Sequence, residues 1–291
     1  MSHDDAFVEY RSLLFTIAYE ILGSATDAED VLQESYIRWS RVELSSVEHP
    51  RRYLAQIVTR QALNRLRTAK RRRETYVGNW LPEPILTHTD VGADSVLAEA
   101  LSMAMLVVLE SLTPDQRAVF VLGEVFGFRS AEIATMTGRS DAAVRQMARR
   151  ARDRVRDRRP RFDPDVSEAD DLVARFLRAS RDGDLQKLMD TLAPDVVQMS
   201  DGGGKVTAAR RPIYGSEAVA RFTIGVARTA GLGLRVEFVR CNAMPAVLFW
   251  IDEVFEYATL FDIADDRVRG IYAIRNPDKL HALTHPMRVR R

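Results

Sequence analysis

LTPDQRAVFVLGEVFGFRSAEIATMTGRSDAAVRQMARRAR, Leu112 to Arg152, is the stretch on which the fold turns. Thr113 followed by Pro114 marks a helix start, because the threonine oxygen can accept an orphan amide and proline has none to satisfy. Gly127 ends that helix, Ser130 starts a short one through Ile133 and Met136 to Gly138, and Ser140 caps a last one. Short helix, glycine turn and capped helix with an arginine-rich outer face make a helix-turn-helix. Val144, Ala148, Ala151 and Val155 form its inward stripe. Arg145, Gln146, Arg149 and Arg152 lie elsewhere on the helix, within reach of base edges and phosphates in a major groove.

Upstream, residues from about Asp5 to Ala69 also read as helices. Leu13, Leu14, Ile17, Ala18, Ile21 and Leu22 recur at helical spacing, and Gly23 closes that helix. Thr26 or Asp27 is the expected cap of the next helix, which carries Ala28, Val31, Leu32 and Ile37 on its apolar stripe. Its other side shows Glu29, Asp30, Gln33 and Glu34. After Pro50, Tyr53, Leu54, Ile57, Val58, Ala62, Leu63 and Leu66 continue the pattern into Arg71 to Arg73.

The net charge of +1 conceals segregation. Ten acids stand against three bases between Asp4 and Glu48, and nine bases against no acid between Arg51 and Arg73. From Arg139 to Arg159 nine bases face three acids. A solvated helix usually mixes signs to form i,i+4 pairs, which the first basic block does not.

Between the helical units lies GNWLPEPI, Gly78 to Ile85. Pro82 and Pro84 fix φ and bias their predecessors away from helix, so Trp80 to Pro84 is an extended linker. Trp80 offers apolar surface that is costly to leave in water, which predicts a docking partner for the linker. Its alternative is to cover a neighbouring helical surface.

The style changes after the Pro-containing segment Arg161 to Asp165. Ala169 to Leu177, Leu185 to Leu192 and Ser216 to Val226 read as helices; LRVEFV, AVLFWI, FEYATLFDI and RVRGIYAI read as strands of an antiparallel meander. That is an α+β domain. Asp252, Glu253, Glu256 and Asp262 are expected on one solvated face, and no catalytic or metal constellation is legible. Lone Cys241 reads as a small buried hydrophobe.

At 291 residues, with 46% hydrophobic and 29% charged residues, the chain has room for two or three domains and real cores. No apolar run approaches bilayer length and no signal pattern opens the chain, so a cytoplasmic location without membrane attachment is expected. No cofactor is expected.

DAEDVLQESYIRW, Asp27 to Trp39, followed by the helix-turn-helix at its spacing, resembles the extracytoplasmic-function sigma factors of bacterial RNA polymerase over about the first 160 residues. WLPEP, DGGGK (Asp201 to Lys205) and NPDKL (Asn276 to Leu280) together resemble the subgroup with a fused SnoaL-like, cone-shaped domain of the NTF2-like class. The fold implied is multidomain: two all-α sigma domains, the second with the helix-turn-helix, then the α+β cone. Expected boundaries are 1–75 for region 2, 76–95 for the linker, 96–160 for region 4, 161–166 for a hinge and 167–291 for the cone.

The resemblance implies promoter-specific transcription initiation by a non-enzymatic polymerase subunit, with RNA polymerase core and promoter DNA as partners. The fused domain would replace a separate anti-sigma factor. Asp30, Gln33 and Glu34 would contact the core; Arg60, Asn64, Arg67, Arg71 and Arg72 would handle the minus-ten element; Arg145, Gln146 and Arg149 would read the minus-thirty-five element. Many members carry Asn where this sequence has Arg60. Trp80, Leu81, Pro82, Glu83 and Pro84 would dock on Asp201, Gly202, Gly203, Gly204 and Lys205 and on Asn276, Pro277, Asp278, Lys279 and Leu280, with Lys205 meeting Glu83. Two alternatives are a regulator whose cone senses a small-molecule ligand and an enzyme tethered to DNA.

Overall fold

The computed structural model of the chain describes residues 2–87, 97, 100–156, 166–229 and 233–284. Three long helices open it: α1 (His3–Leu22), α2 (Ala25–Trp39) and α3 (Pro50–Arg73). Ser2 and Asp5 form a capping box at the start of α1, and Gly23 closes it at φ 68°. Ser24, not Thr26 or Asp27, caps α2, since its hydroxyl is the one that accepts the Asp27 amide. Ile37, expected on the apolar stripe, is 52% exposed beside Gln33 and Glu34.

The second helical unit comprises α4 (Met103–Leu109), α5 (Pro114–Phe120), α6 (Ser130–Thr137) and α7 (Asp141–Arg156). Thr113 and Gln116 cap α5 reciprocally. A π-helical turn, Val121–Val125, extends α5, and Gly127 and Gly138 take positive φ at the following breaks. Val144, Ala151 and Val155 bury the inner stripe of α7. The two units share one apolar cluster, in which Leu14, Ile21 and Val58 join Leu106, Val119 and Ile133.

The C-terminal part begins with α8 (Val166–Asp182) and α9 (Leu185–Asp190), continues through β1 (Leu192–Asp201), β2 (Ile213–Tyr214) and α10 (Ser216–Ala227), and ends in β3 (Leu234–Cys241), β4 (Met244–Ile251), β5 (Val254–Ala264) and β6 (Arg267–Ile274). Sheet order is β2-β1-β6-β5-β4-β3. β3 to β6 form the expected antiparallel meander, and β1, not expected as a strand, joins it parallel to β6, so the whole sheet is mixed. Leu192, expected at a helix end, starts β1, whose pairing shifts register between Leu192 and Val197 around Pro194 and Asp195; that break hides the alternation.

One sheet face packs on α8 to α10 through Phe176, Leu188, Val219, Phe249 and Phe261. The opposite face, with Met244, Leu248, Leu260 and Ile274, packs on Leu81 of the linker and on Met103 and Ala104 of α4. The cone is therefore fastened to the helical part by apolar burial. Asn242–Ala243, Asp252–Glu253 and Asp265–Asp266 make hairpin turns with positive φ at both positions. Asp252 and Glu253 are thus turn residues rather than strand residues, and Asp262 is buried, which removes the expected solvated carboxylate face.

Candidate functional site

The extended linker meets DGGGK and NPDKL around one carboxylate. Asp201 is fully buried at the end of β1. It accepts from the Tyr76 hydroxyl at 2.6 Å, the Leu81 amide at 2.9 Å, the Gly203 amide at 3.0 Å and Lys279 Nζ at 2.7 Å. Lys279 also donates to the Leu81 carbonyl at 2.5 Å. Burial pushes the Lys279 ammonium below its usual range, and the Asp201 charge opposes that. Burial, then the bond to Asp201, raises the Tyr76 hydroxyl. The Asn276 amide donates to the Tyr76 oxygen at 2.8 Å, closing the ring of contacts.

Glycine is required at two points of this ring. A Cβ on Gly203, whose φ is 61°, would lie 2.3 Å from Asn276 Nδ2, and one on Gly204 would lie 3.1 Å from Val77. Asn79 adds bonds from its amide to the Ser200 and Ala209 carbonyls.

Trp80 is half-buried. Its ring lies between the Arg73 guanidinium, 3.4 Å from the centroid, and Lys279 Nζ at 4.2 Å, with its edge over Gly23. The fully buried anchors are its neighbours: Leu81 enters the cone's cluster and Ile85 the helical one. Pro82 and Pro84 are buried too, and Leu280 joins Leu81.

Lys205 does not meet Glu83. It pairs with Asp278 at 2.6 Å on the exposed rim beside Pro277. Glu83 instead serves the start of α2, accepting from Ser24 Oγ at 2.8 Å and the Thr26 amide at 3.0 Å, where the helix dipole favours a negative charge. The sequence reading missed Tyr19, Tyr76, Asn79 and Asn242. Asn242 holds the Ile85 amide, the Tyr19 hydroxyl and the Leu101 carbonyl from a hairpin turn, where asparagine needs no explanation beyond the turn.

A buried ion network lies next to the linker. Fully buried Arg117 donates to the Glu20 carbonyl at 2.8 Å and to Glu110, which also takes Arg73 at 2.5 Å. Burial opposes ionisation of Glu110, but Arg117 and Arg73 together hold its carboxyl below the usual range. Arg73 reaches the Leu22 carbonyl as well.

On α2, Gln33 and Glu34 are exposed and Asp30 is half-buried. Arg65 of α3 binds Asp27 and Asp30 at 2.7 and 2.5 Å and approaches Glu34 at 3.6 Å. On α7, Arg145, Gln146 and Arg149 are exposed, Arg145 pairing with Asp141.

Arg60 and Arg67 of α3 are both engaged by the second helical unit. Arg60 donates to the Thr135 and Met136 carbonyls of α6, and Arg67 to Asp115 of α5. Asn64 is exposed and accepts weakly from Arg67. Arg71 and Arg72 lie within α3, and their side chains are outside the described residues, as are residues 161–165 of the expected hinge and 88–95 of the expected linker. No helix among the described residues is long and apolar enough to cross a membrane.

Comparison with known proteins follows the same division. A sigma-70 region 2 model matches residues 6–72, and a sigma-70 region 4 model matches residues 102–155. The chain is 38% identical to the ECF RNA polymerase sigma factor SigJ of Mycobacterium tuberculosis over 98% of its own length and 95% of the relative's. It is 26% identical to the probable ECF RNA polymerase sigma factor SigI of the same species, over 96% and 94% of the two chains. The crystal structure of SigJ superposes with a TM-score of 0.78 at 34% identity, covering 95% of this chain and 97% of that one.

Proposed function

This chain belongs to the extracytoplasmic-function RNA polymerase sigma factors, which act in transcription initiation, and on that premise we propose that its C-terminal cone regulates polymerase and promoter engagement by holding the linker between regions 2 and 4. In this reading region 2 runs over 1–75, the linker over 76–95, region 4 over 96–160, a hinge over 161–166 and the cone over 167–291. Asp30, Gln33 and Glu34 face the polymerase core. Arg60, Asn64, Arg67, Arg71 and Arg72 meet the minus-ten element, and Arg145, Gln146 and Arg149 the minus-thirty-five element.

The carrying observation is the buried Asp201, which ties Tyr76 and Leu81 of the linker to Lys279 of the cone. A buried ion pair with its hydrogen bonds satisfied is costly to break from one side only, so it fixes one arrangement. Tyr76→Phe and Asp201→Asn should each change promoter-dependent transcription by purified core polymerase. Since they touch one another, the double variant should depart from additivity by roughly 0.5 to 3 kcal/mol. Strict additivity would return the linker to a passive tether.

A small apolar ligand of the cone is a subsidiary reading, supported by Leu234, Val236 and Phe238. They stay exposed on the sheet face that they share with Phe249, itself stacked on Tyr257 at 4.3 Å. Saturable thermal stabilisation by such a molecule would support it; a flat response across a metabolite panel would remove it.

A further inference from the structure

The six-stranded sheet ends on β3, whose outer edge pairs with no further strand. Among the described residues the linker touches that edge at one end, where Leu86 bridges Cys241 and the Thr87 amide bonds the Arg240 carbonyl at 3.0 Å. Backbone groups alternate in direction along an antiparallel strand, and β3 pairs with β4 without a register shift. The outward carbonyl of Arg240 therefore makes Phe238, Val236 and Leu234 the other residues whose amides and carbonyls face outward. These three also carry exposed apolar side chains: Leu234 is 38% exposed, Val236 39% and Phe238 45%. Arg235 and Glu237 alternate with them on the opposite sheet face. Arg235 rests on the Trp250 ring and lies 3.6 Å from Glu237 and 3.7 Å from Glu253, both longer than a hydrogen bond.

We propose that β3 is a dimer interface, pairing antiparallel with β3 of a second copy of this chain about a two-fold axis through Val236. In that register Leu234, Val236 and Phe238 exchange backbone hydrogen bonds with Phe238, Val236 and Leu234 of the copy. Arg235 faces Glu237 of the copy, and Glu237 faces its Arg235, in the closer, non-hydrogen-bonded pairs. On the other face the apolar side chains of both edges join into one strip, on the side where Phe249 packs against α8 to α10. The edge is thus self-complementary in charge, shape and backbone bonding, as an isologous contact requires.

Charge and space select this register over its neighbours. An axis through Arg235 would oppose two arginines, and one through Glu237 two glutamates, each arrangement destabilising. An axis through Leu234 would set Arg235 opposite Gly233. One through Phe238 would lay the copy's strand where Leu86 and Thr87 already sit. With the axis at Val236 the paired stretch stops at Phe238, because β3 begins at Leu234, and the linker keeps its place at Arg240 and Cys241. Dimerisation and linker docking therefore coexist, and the inference stands independently of the cone's regulatory role.

The test is the mass of the full chain in sedimentation velocity across a concentration series, for the unaltered protein and for Arg235→Glu and Glu237→Arg. The unaltered chain should form a concentration-dependent dimer. Each reversal alone sets like charges opposite one another at both positions and should weaken the dimer about tenfold. Both side chains are exposed, so the fold should tolerate either change. Mixing the two variants restores opposite charges at both positions, and a mixed dimer should form with close to the original affinity. Val236→Pro, which removes an outward amide and leaves the β4 ladder intact, should abolish the dimer. A chain that is monomeric at every concentration would overturn the inference, including one whose Leu234 to Phe238 strip is saturated by an apolar molecule instead. A dimer that neither reversal weakens, or a pair of variants that form no mixed dimer, would overturn it as well.

Discussion

Glu20 shows how one side chain sets a pH dependence. It lies fully buried on α1 beneath Arg117, and neither carboxylate oxygen has a hydrogen-bond partner among the described residues. Burial pushes its carboxyl up to about 8, against the pull of Arg117. Asp262 is raised to about 6 by the same cause, with Arg269 opposing. A raised acid pKa means that the native state holds a proton the unfolded chain has released. Stability should therefore fall as pH rises from the ordinary carboxyl range near 4.5 towards 8, and level off above it. Glu20→Gln should flatten that slope and stabilise the protein at pH 7 by roughly 3 kcal/mol, from about 1.36 kcal/mol per pKa unit. Urea titrations at pH 5 and pH 8 check it. An unchanged slope in the variant would assign the pH dependence elsewhere.

At the scale of a single element, the DGGGK turn couples local backbone geometry to the linker. Gly203→Ala adds strain at a positive φ and drives a Cβ into the Asn276 amide, which would release its bond to Tyr76. A loss of about 2 kcal/mol is expected from the two effects together. Gly204→Ala should cost less, because its new Cβ meets only the exposed Val77 side chain at 3.1 Å. Gly225→Ala, in the last turn of α10 with nothing within 4 Å, should be neutral or stabilising by up to about 1 kcal/mol. That ordering in urea unfolding is the check, and equal costs at 203 and 204 would contradict it.

Across the whole molecule, the cone completes the helical part's apolar surface. Leu81, Met103 and Ala104 are buried against Met244, Leu248 and Leu280 across the sheet face. A chain ending at residue 160 would return these side chains to water. At about 25 cal/mol per Å² of apolar surface, fully exposing even one such Leu or Met costs about 2 kcal/mol. The truncated chain should show a lower Tm and bind a hydrophobic dye. A Tm equal to that of the full chain would mean that the helical part is self-sufficient.

Local signals carried the sequence reading where chemistry and periodicity agreed. Thr113–Pro114, Gly138 and the Val144 to Val155 stripe specify the helix-turn-helix because caps and spacing act within a few residues, and the same holds for β3 to β6. That much the sequence determined alone. β1 escaped because Pro194 and Asp195 interrupt its alternation, and the parallel pairing with β6 joins segments far apart in the chain. The partners of Lys205, Glu83 and Arg60 were equally out of reach, because a charged side chain carries no local mark of which opposite charge or carbonyl it will meet. Asp201 became a hub only when Tyr76, Leu81 and Lys279 arrived from separate segments to compensate its burial. Tertiary structure decided these points, since the cost of burying a charge is settled by neighbours that folding, not sequence order, brings together.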